Sequence, residues 1–113
     1  MDRSRPGGRA ELRAAWWYRI RGYRVLATNA WVGGYELDLV VRRGRRLVFC
    51  EVKEKAGERF GDPLEMVDAE KRRRLRSAGE AWLATHPEAR GLLVSFDVVA
   101  VQRGRLERVA EAF

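Results

Sequence analysis

Two charged motifs on either side of a basic turn are the strongest chemical signal in this sequence. Residues 35–55 read YELDLVVRRGRRLVFCEVKEK, in which two apolar runs flank the turn RRGRR. Each run carries charged residues where a buried strand is normally apolar: Glu36 and Asp38 in the first, Glu51 and Lys53 in the second. Buried carboxylates cost free energy unless they are paired. The pattern therefore indicates a site at which a cation neutralises carboxylates.

The glycine of the turn allows a β-hairpin in two registers. A Gly44-Arg45 loop, with glycine first as type II′ turns prefer, places Asp38 opposite Glu51. A loop that starts one residue earlier places Glu36 opposite Glu51 instead. Side chains directly opposite each other have Cβ atoms about 4.5–5.5 Å apart, and like charges at that distance destabilise a sheet. Either register thus predicts a divalent cation, since Mg²⁺ takes one or two carboxylates together with water and phosphate oxygens.

Strand alternation predicts which of these side chains share a face. In the first strand Glu36, Asp38 and Val40 would face one way. In the second strand Glu51 and Lys53 would share a face with Leu47 and Phe49, and in the first register Glu36 would face Lys53. The opposite face of the first strand would carry Leu37, Leu39 and Val41.

Two predicted helices also direct charge toward this sheet. Residues 9–21 have an apolar stripe at i+3, i+4 and i+7 from Glu11, so Glu11 lies on the apolar face of its own helix. Residues 63–85 form a second predicted helix, and Lys71 interrupts its apolar stripe of Leu64, Val67, Leu75, Ala78 and Trp82. A snorkelling stem would equally account for Lys71.

The elements follow the order α-β-β-β-α-β-β, which predicts an α/β fold with a mixed central sheet flanked by helices. The first strand begins at residue 23, the hairpin arms cover 35–41 and 46–53, and the last two strands begin at 92 and 105. With 113 residues, the chain is expected to form one domain spanning 1–113.

Composition narrows the classes of partner. The net charge is +7 and 20 of the 23 basic residues are arginine, whose planar guanidinium suits phosphate contacts. One asparagine and one glutamine favour a thermophilic source, which would also enrich arginine. The chain has no run of 18 apolar residues and no apolar signal segment, and its single cysteine, Cys50, fits a reducing compartment. We therefore expect a cytoplasmic protein without a membrane span.

The motifs together resemble a known family. A strand acid, a turn and then Glu-x-Lys resembles the PD-(D/E)xK nuclease superfamily, which includes Holliday junction resolvases. More closely, the chain is similar to the YraN family (UPF0102), small bacterial proteins with a restriction-endonuclease-like fold. The similarity covers almost the whole length. It is carried by Glu11, GY at 22–23, Asn29, ELDLV at 36–40, LVFCEVK at 47–53, FG at 60–61, Lys71, FDVVAV at 96–101 and the closing AF.

The resemblance implies roles for individual residues. Asp38, Glu51 and the backbone carbonyl of Val52 would bind Mg²⁺ or Mn²⁺, and Lys53 would orient or deprotonate the attacking water. Glu11 would contact the metal through water. Glu36 and Lys71 match the family without an assigned role, and Glu36 would pair with Lys53.

The function that follows is a divalent-metal-dependent endonuclease that hydrolyses phosphodiesters of DNA, including branched or recombination intermediates. The alternative is a nucleic-acid-binding or assembly protein that keeps the fold without cutting. Resolvase-like proteins pair to cut two strands, so the resemblance is compatible with a homodimer. The residues expected to contact the nucleic acid backbone are Arg42, Arg43, Arg45, Arg46, Arg72 and Arg73.

Overall fold

The computed structural model describes residues 8–55 and 63–113, which form a five-stranded mixed sheet with one helix on each face. The chain order is the predicted α-β-β-β-α-β-β, with two short 3₁₀ turns, Pro63–Met66 and Pro87–Ala89, on either side of the second helix. The element bounds are α1 Gly8–Arg19, β1 Arg24–Val32, β2 Tyr35–Arg43, β3 Arg46–Glu54, α2 Ala69–Ala84, β4 Leu93–Gln102 and β5 Arg105–Val109.

The strands lie in the order β1-β2-β3-β4-β5, and only β3 and β4 are parallel. The crossover from β3 to β4 contains α2, as parallel neighbours require. This confirms the α/β architecture and agrees with a restriction-endonuclease-like fold. No helix in the described ranges is long and apolar enough to cross a membrane.

Each helix covers its own apolar cluster. The α1 cluster includes Tyr18 from the helix and Leu39, Val48 and Cys50 from the sheet. The cluster under α2 includes Phe49 and Trp82, whose rings meet edge to face with centroids 5.7 Å apart. Successive residues of β3 thus alternate between the two clusters, as the strand pattern predicted.

The second helix starts later than the sequence pattern predicts. Asp68 takes the extended conformation at the N-cap, and its carboxylate accepts a hydrogen bond from the backbone N–H of Lys71. An aspartate at this position marks the start of a helix, because its side chain accepts a hydrogen bond from one of the first backbone N–H groups. Leu64 and Val67 therefore do not belong to the α2 stripe, although Val67 is buried in the cluster below it. The predictions that fall on residues 1–7 and 56–62 lie outside the described residues.

The hairpin has the register of the Gly44-Arg45 loop. Arg43 pairs with Arg46, and the pairing continues to Leu39 opposite Cys50. Gly44 has φ of +61°, as the first loop residue of a type II′ turn requires.

The alternation of side chains between the two faces of β2 breaks on the N-terminal side of Leu39. Leu37 packs in the α2 cluster together with Val40, whereas Leu39 packs under α1. The prediction that Leu37, Leu39 and Val41 share a face is therefore wrong for Leu37. The physical reason is an irregularity shared with β1, where Asn29 has φ of +49° and the pairing passes directly from Thr28–Leu39 to Ala30–Leu37.

Candidate active site

The candidate site begins where β2 and β3 stop pairing. Continuing the hairpin register would place Leu37 opposite Val52, but the ladder ends at Leu39–Cys50. The backbone N–H of Val52 instead donates to Oδ2 of Asp38, with N and O 2.9 Å apart. The Asp38 carboxylate thus takes the place of a strand carbonyl, and the predicted direct pairing of Asp38 with Glu51 across the ladder does not form.

Glu51 is a buried carboxylate whose two oxygens have different surroundings. Its residue surface is only 4% exposed. Oε2 lies 3.3 Å from Nζ of Lys53, while Oε1 is buried without a hydrogen-bond donor in the described part of the chain. A buried unpaired carboxylate oxygen is costly, so this atom is a candidate metal ligand.

Burial and neighbouring carboxylates change the titration of Asp38. Burial raises the pKa of Asp38 to about 8, and the Glu51 carboxylate and the more distant Glu11 add to this increase. The Val52 N–H acts in the opposite direction because it stabilises the ionised form. The neighbouring carboxyl groups have one close counter-charge, Lys53, which contacts Glu51, so the site favours an additional cation.

Glu11 reaches this site from α1 as predicted. It is half-buried, and Oε1 accepts a hydrogen bond of 2.8 Å from the Asn29 side chain. Asn29 sits at the irregular position of β1, where the left-handed backbone favours asparagine among non-glycine residues. The predictions gave Asn29 no role, and the structure gives it one, because it fixes the orientation of Glu11.

Lys71 faces the site from the first turn of α2. Contact with the Lys53 side chain, followed by partial burial, lowers the pKa of Lys71. Partial burial acts to lower the pKa of Lys53 as well, but its contacts with Lys71 and Glu51 raise it overall. Tyr35 lies on the same side, and burial together with the Glu51 charge raises its pKa to about 12. The site therefore places two ammonium groups beside the carboxylates.

Glu36 is not brought into this group in the way that we predicted. It pairs with Trp31 of β1, and the ion pair of Lys53 is with Glu51. Because the alternation reverses at Asp38, the expected Glu36–Lys53 cross-strand pair does not form.

The donor set can be tested against a divalent cation. Among residues 8–55 and 63–113, no group of three or more His, Cys, Asp and Glu side chains is arranged to hold a metal. Two carboxylates with a backbone carbonyl is a smaller set, of the kind that Mg²⁺ completes with water and phosphate oxygens. In a strand the N–H and C=O of one residue point to the same side, so the Val52 carbonyl points, like its N–H, toward Asp38. Asp38, Glu51 and Val52 therefore fit the metal that the sequence predicted.

Comparison with known sequences gives the family. The model of the family described as "Uncharacterised protein family UPF0102" matches residues 10–101, which include every residue of this site. The chain belongs to the UPF0102 family. A UPF0102 protein of Moorella thermoacetica is 41% identical over 110 residues, covering 97% of this chain and 91% of the relative. A UPF0102 protein of Bartonella bacilliformis is 35% identical over 107 residues, covering 95% and 86%. One from Frankia casuarinae is 47% identical over 83 residues, covering 69% and 70%.

The predicted nucleic-acid-binding arginines of this UPF0102 protein lie in two separate places. The four at the hairpin tip are about five residues along β2 and β3 from Asp38 and Glu51, or roughly 16 Å at strand spacing. Three of them donate to backbone carbonyls: Arg42 to Gly44, Arg43 to Arg21 and Arg45 to Gly91, while Arg46 pairs with Glu111.

The other two arginines are next to Lys71 on α2, and so lie closer to the site. Arg72 donates from Nε to the Val67 carbonyl at 3.0 Å. Arg73 is exposed and lines a concavity of about 390 Å³ together with Tyr35. Of the predicted set, Arg73 is thus the arginine best placed to contact a strand at the carboxylates.

One buried acid of the UPF0102 chain was not singled out from its sequence. Asp97 is 1% exposed in β4, and its carboxylate accepts hydrogen bonds from three donors. Oδ2 accepts from the Tyr18 hydroxyl at 2.5 Å and from Nε of Arg108 at 2.9 Å, and Oδ1 accepts from the Glu111 N–H at 3.1 Å. An acid inside the apolar run FDVVAV was the available signal. Because protein donors occupy both of its carboxylate oxygens, Asp97 is structural and joins α1, β5 and the C-terminal residues.

Proposed function

We propose that this UPF0102 protein is a divalent-metal-dependent endonuclease that hydrolyses DNA phosphodiesters. The observation that carries the proposal is the buried Oε1 of Glu51, which has no donor in the described ranges although Asp38 and Lys53 surround the same group. A folded protein keeps such an arrangement at a cost in stability. A cation bound between the carboxylates offsets that cost, and the most similar known arrangement of these motifs is that of PD-(D/E)xK nucleases.

Asp38, Glu51 and the Val52 carbonyl would hold Mg²⁺ or Mn²⁺, with Glu11 reaching the site through water. An ion of this type supplies Lewis-acid polarisation of the phosphoryl oxygen and activation of the attacking water. Lys53 would place its ammonium beside the phosphate, because Glu51 holds Nζ in position from one side. Positive charge at that point stabilises the negative charge that develops in the transition state.

The substrate class follows from charge. The chain carries +7, and Lys71 and Arg73 extend the cationic surface from the carboxylates along α2. A polyanion such as DNA suits this distribution. A branched or recombination intermediate is the finer proposal, and it comes from the resemblance to junction resolvases, as does a homodimer. A cytoplasmic location accompanies this role.

The second candidate is a nucleic-acid-binding or assembly protein that does not cut. The observation in its favour is that most of the basic surface, including the hairpin tip, lies away from the carboxylates. Such a protein would bind DNA equally well with or without a metal.

Cleavage assays distinguish the two. Duplex, single-stranded and four-way-junction DNA are incubated with Mg²⁺, Mn²⁺ or EDTA, using wild type, Asp38→Asn and Asp38→Ala. The matched control is Glu88→Gln, an exposed acid outside the site. We expect metal-dependent cutting in wild type and in the control that both Asp38 variants lose. Binding without cutting, unchanged by EDTA or by the variants, refutes the nuclease and supports the binding protein.

A further inference from the structure

A large concavity in the described part of the chain lies beside α1 and is lined by none of the carboxylate-site residues. This α1 groove has a volume of about 950 Å³ and runs between the outer side of α1, the end of β3 and the β4–β5 turn. Its charged lining consists of four cations and one acid: Arg9, Arg13, Lys55, Arg103 and Glu54. The groove is thus open, large and positively charged.

An exposed tryptophan forms its apolar part. Trp16 is 60% exposed and Leu12, one turn earlier on α1, is 69% exposed, and both line the groove. The adjacent Trp17 is covered by the guanidinium groups of Arg21 and Arg108, at 3.7 and 4.9 Å from the ring centroid. The structure thus stacks cations on Trp17 but leaves the surface of Trp16 open to solvent, beside Leu12 and the cations of the groove.

Charge decides between the partners that such a surface could take. A second copy of the chain would bring another +7 to a surface that is already cationic. A polyanion with flat apolar rings satisfies both features, and single-stranded nucleic acid has both: phosphates for the cations and unpaired bases for the indole. Paired bases in a duplex do not offer their faces to a side chain in this way.

The groove adjoins two of the elements that carry the candidate site. Leu12 follows Glu11 on α1, and Lys55 comes directly after the end of β3, two residues beyond Lys53. The Lys55 N–H donates to the Val101 carbonyl, which fixes this end of the chain against β4. A strand lying in the groove would therefore lead to the carboxylates along the same two elements.

We propose that the α1 groove binds an unpaired nucleic acid strand, with Trp16 stacking on a base and Arg13, Lys55 and Arg103 contacting its phosphates. The choice of nucleic acid among polyanions rests on the proposed function, but binding here does not require cleavage. The groove would give the protein a preference for DNA with a single-stranded segment next to the cut.

Fluorescence anisotropy with end-labelled oligothymidylate and a duplex of equal length tests this in EDTA, where no cutting occurs. We expect Trp16→Ala to weaken oligothymidylate binding by about 5- to 100-fold, the range for loss of one base-stacking contact. Trp16→Phe keeps most of the affinity, and the duplex loses less. Arg103→Ala lowers the slope of log affinity against log salt by about 0.7.

Two matched controls remove the same residue types elsewhere. Trp31→Ala removes an indole that is 73% exposed on β1, and Arg90→Ala removes an exposed arginine after α2. Neither should change oligothymidylate affinity. Unchanged binding by Trp16→Ala, or an equal loss in the controls, overturns the inference. So does a Trp16→Ala variant that changes sedimentation from dimer to monomer at constant affinity, because the surface would then serve a second copy.

The outcome is independent of the cleavage assay. If Trp16→Ala loses binding but wild type never cuts, the groove is supported and the nuclease proposal fails. If wild type cuts and Trp16→Ala binds and cuts normally, the nuclease proposal stands and the groove proposal fails.

Discussion

Two carboxylates of this chain, the buried Asp97 and the half-buried Asp38, should respond in opposite ways to the same substitution. Asp97 has three protein donors, whereas Asp38 has one backbone donor and lies against the carboxyl group of Glu51. We expect Asp97→Asn to destabilise the metal-free protein and Asp38→Asn to stabilise it. A residue whose charge costs stability is typical of a functional site.

The magnitudes follow from the contacts. Two ionised carboxylates about 5 Å apart repel by roughly 3 kcal/mol at an effective dielectric constant of about 20. Lys53 offsets part of this repulsion, which leaves a gain of about 1–2 kcal/mol for Asp38→Asn. An amide at position 97 has only one acceptor oxygen for three donors and no charge for Arg108, which costs about 3 kcal/mol or more. At about 4 °C per kcal/mol for this chain length, Tm should rise by about 4–8 °C in one variant and fall by about 12 °C in the other.

The sign of the pH dependence provides a further check. The pKa of Asp38 is raised to about 8 in the folded state, above its value of about 4 in the unfolded state. Between these values the folded state holds the proton more tightly, so this group's contribution to stability is full below pH 4 and is lost as pH rises through 8. Asp38→Asn removes the titration. The advantage of the variant over wild type should therefore be smallest near pH 5 and largest near pH 9.

Thermal unfolding in EDTA at pH 5, 7 and 9 measures all three proteins. Equal losses of stability in Asp38→Asn and Asp97→Asn at pH 9 would refute the reasoning, because Asp38 would then be a structural acid like Asp97. The metal assignment would lose its physical support with that result.

Three further predictions concern the site and the packing that supports it. Mn²⁺ at about 100 times its dissociation constant should stabilise wild type by about 2.7 kcal/mol, or roughly 10 °C in Tm, and leave Asp38→Asn unchanged; an equal shift in both proteins would place the ion elsewhere. Lys53→Met should lower the cleavage rate about 100-fold or more while anisotropy still detects DNA binding, and retained cleavage would remove Lys53 from the mechanism. Gly79→Ala should lower Tm by several degrees, because a Cβ there would lie 3.1 Å from the rings of Phe49 and Phe96 and overpacking costs more than the helix propensity gained. A rise in Tm for Gly79→Ala would show that the rings move aside.

The sequence predicted the elements of the fold because their signals are local. Gly44 limited the turn to two loops, and the register counted for the Gly44-Arg45 loop is the one observed from Arg43–Arg46 to Leu39–Cys50. The mixed sheet similarly follows from the order of the elements and the long crossover between β3 and β4. Element ends were less accurate, and the start of α2 shifted because Asp68 caps the helix there.

The sequence predicted which residues form the candidate site but not how their side chains contact one another. Asp38, Glu51, Lys53, Glu11 and Lys71 all lie around one point, but their contacts depend on a break in alternation that involves two strands at once. A strict alternation of side chains cannot predict such a break. The faces of Leu37 and Glu36 were therefore predicted from an alternation that does not hold on the N-terminal side of Leu39. Asp97 was overlooked for a different reason, since its three donors come from distant parts of the chain.

The irregularity at Asp38 distinguishes this candidate site from an ordinary β-hairpin. A regular ladder would satisfy Val52 through the carbonyl of Leu37, and its own carbonyl would be used in the same pair. Because the Asp38 side chain takes the N–H of Val52, β2 diverges and the Val52 carbonyl points toward a space bordered by the Asp38 and Glu51 carboxylates. The strand pair thus lacks the backbone hydrogen bonds of one ladder pair, and Oε1 of Glu51 has no donor within the described residues. A structural role explains neither the missing ladder hydrogen bonds nor the undonated carboxylate oxygen, whereas the proposed cation, held by two carboxylates and a carbonyl, would account for both.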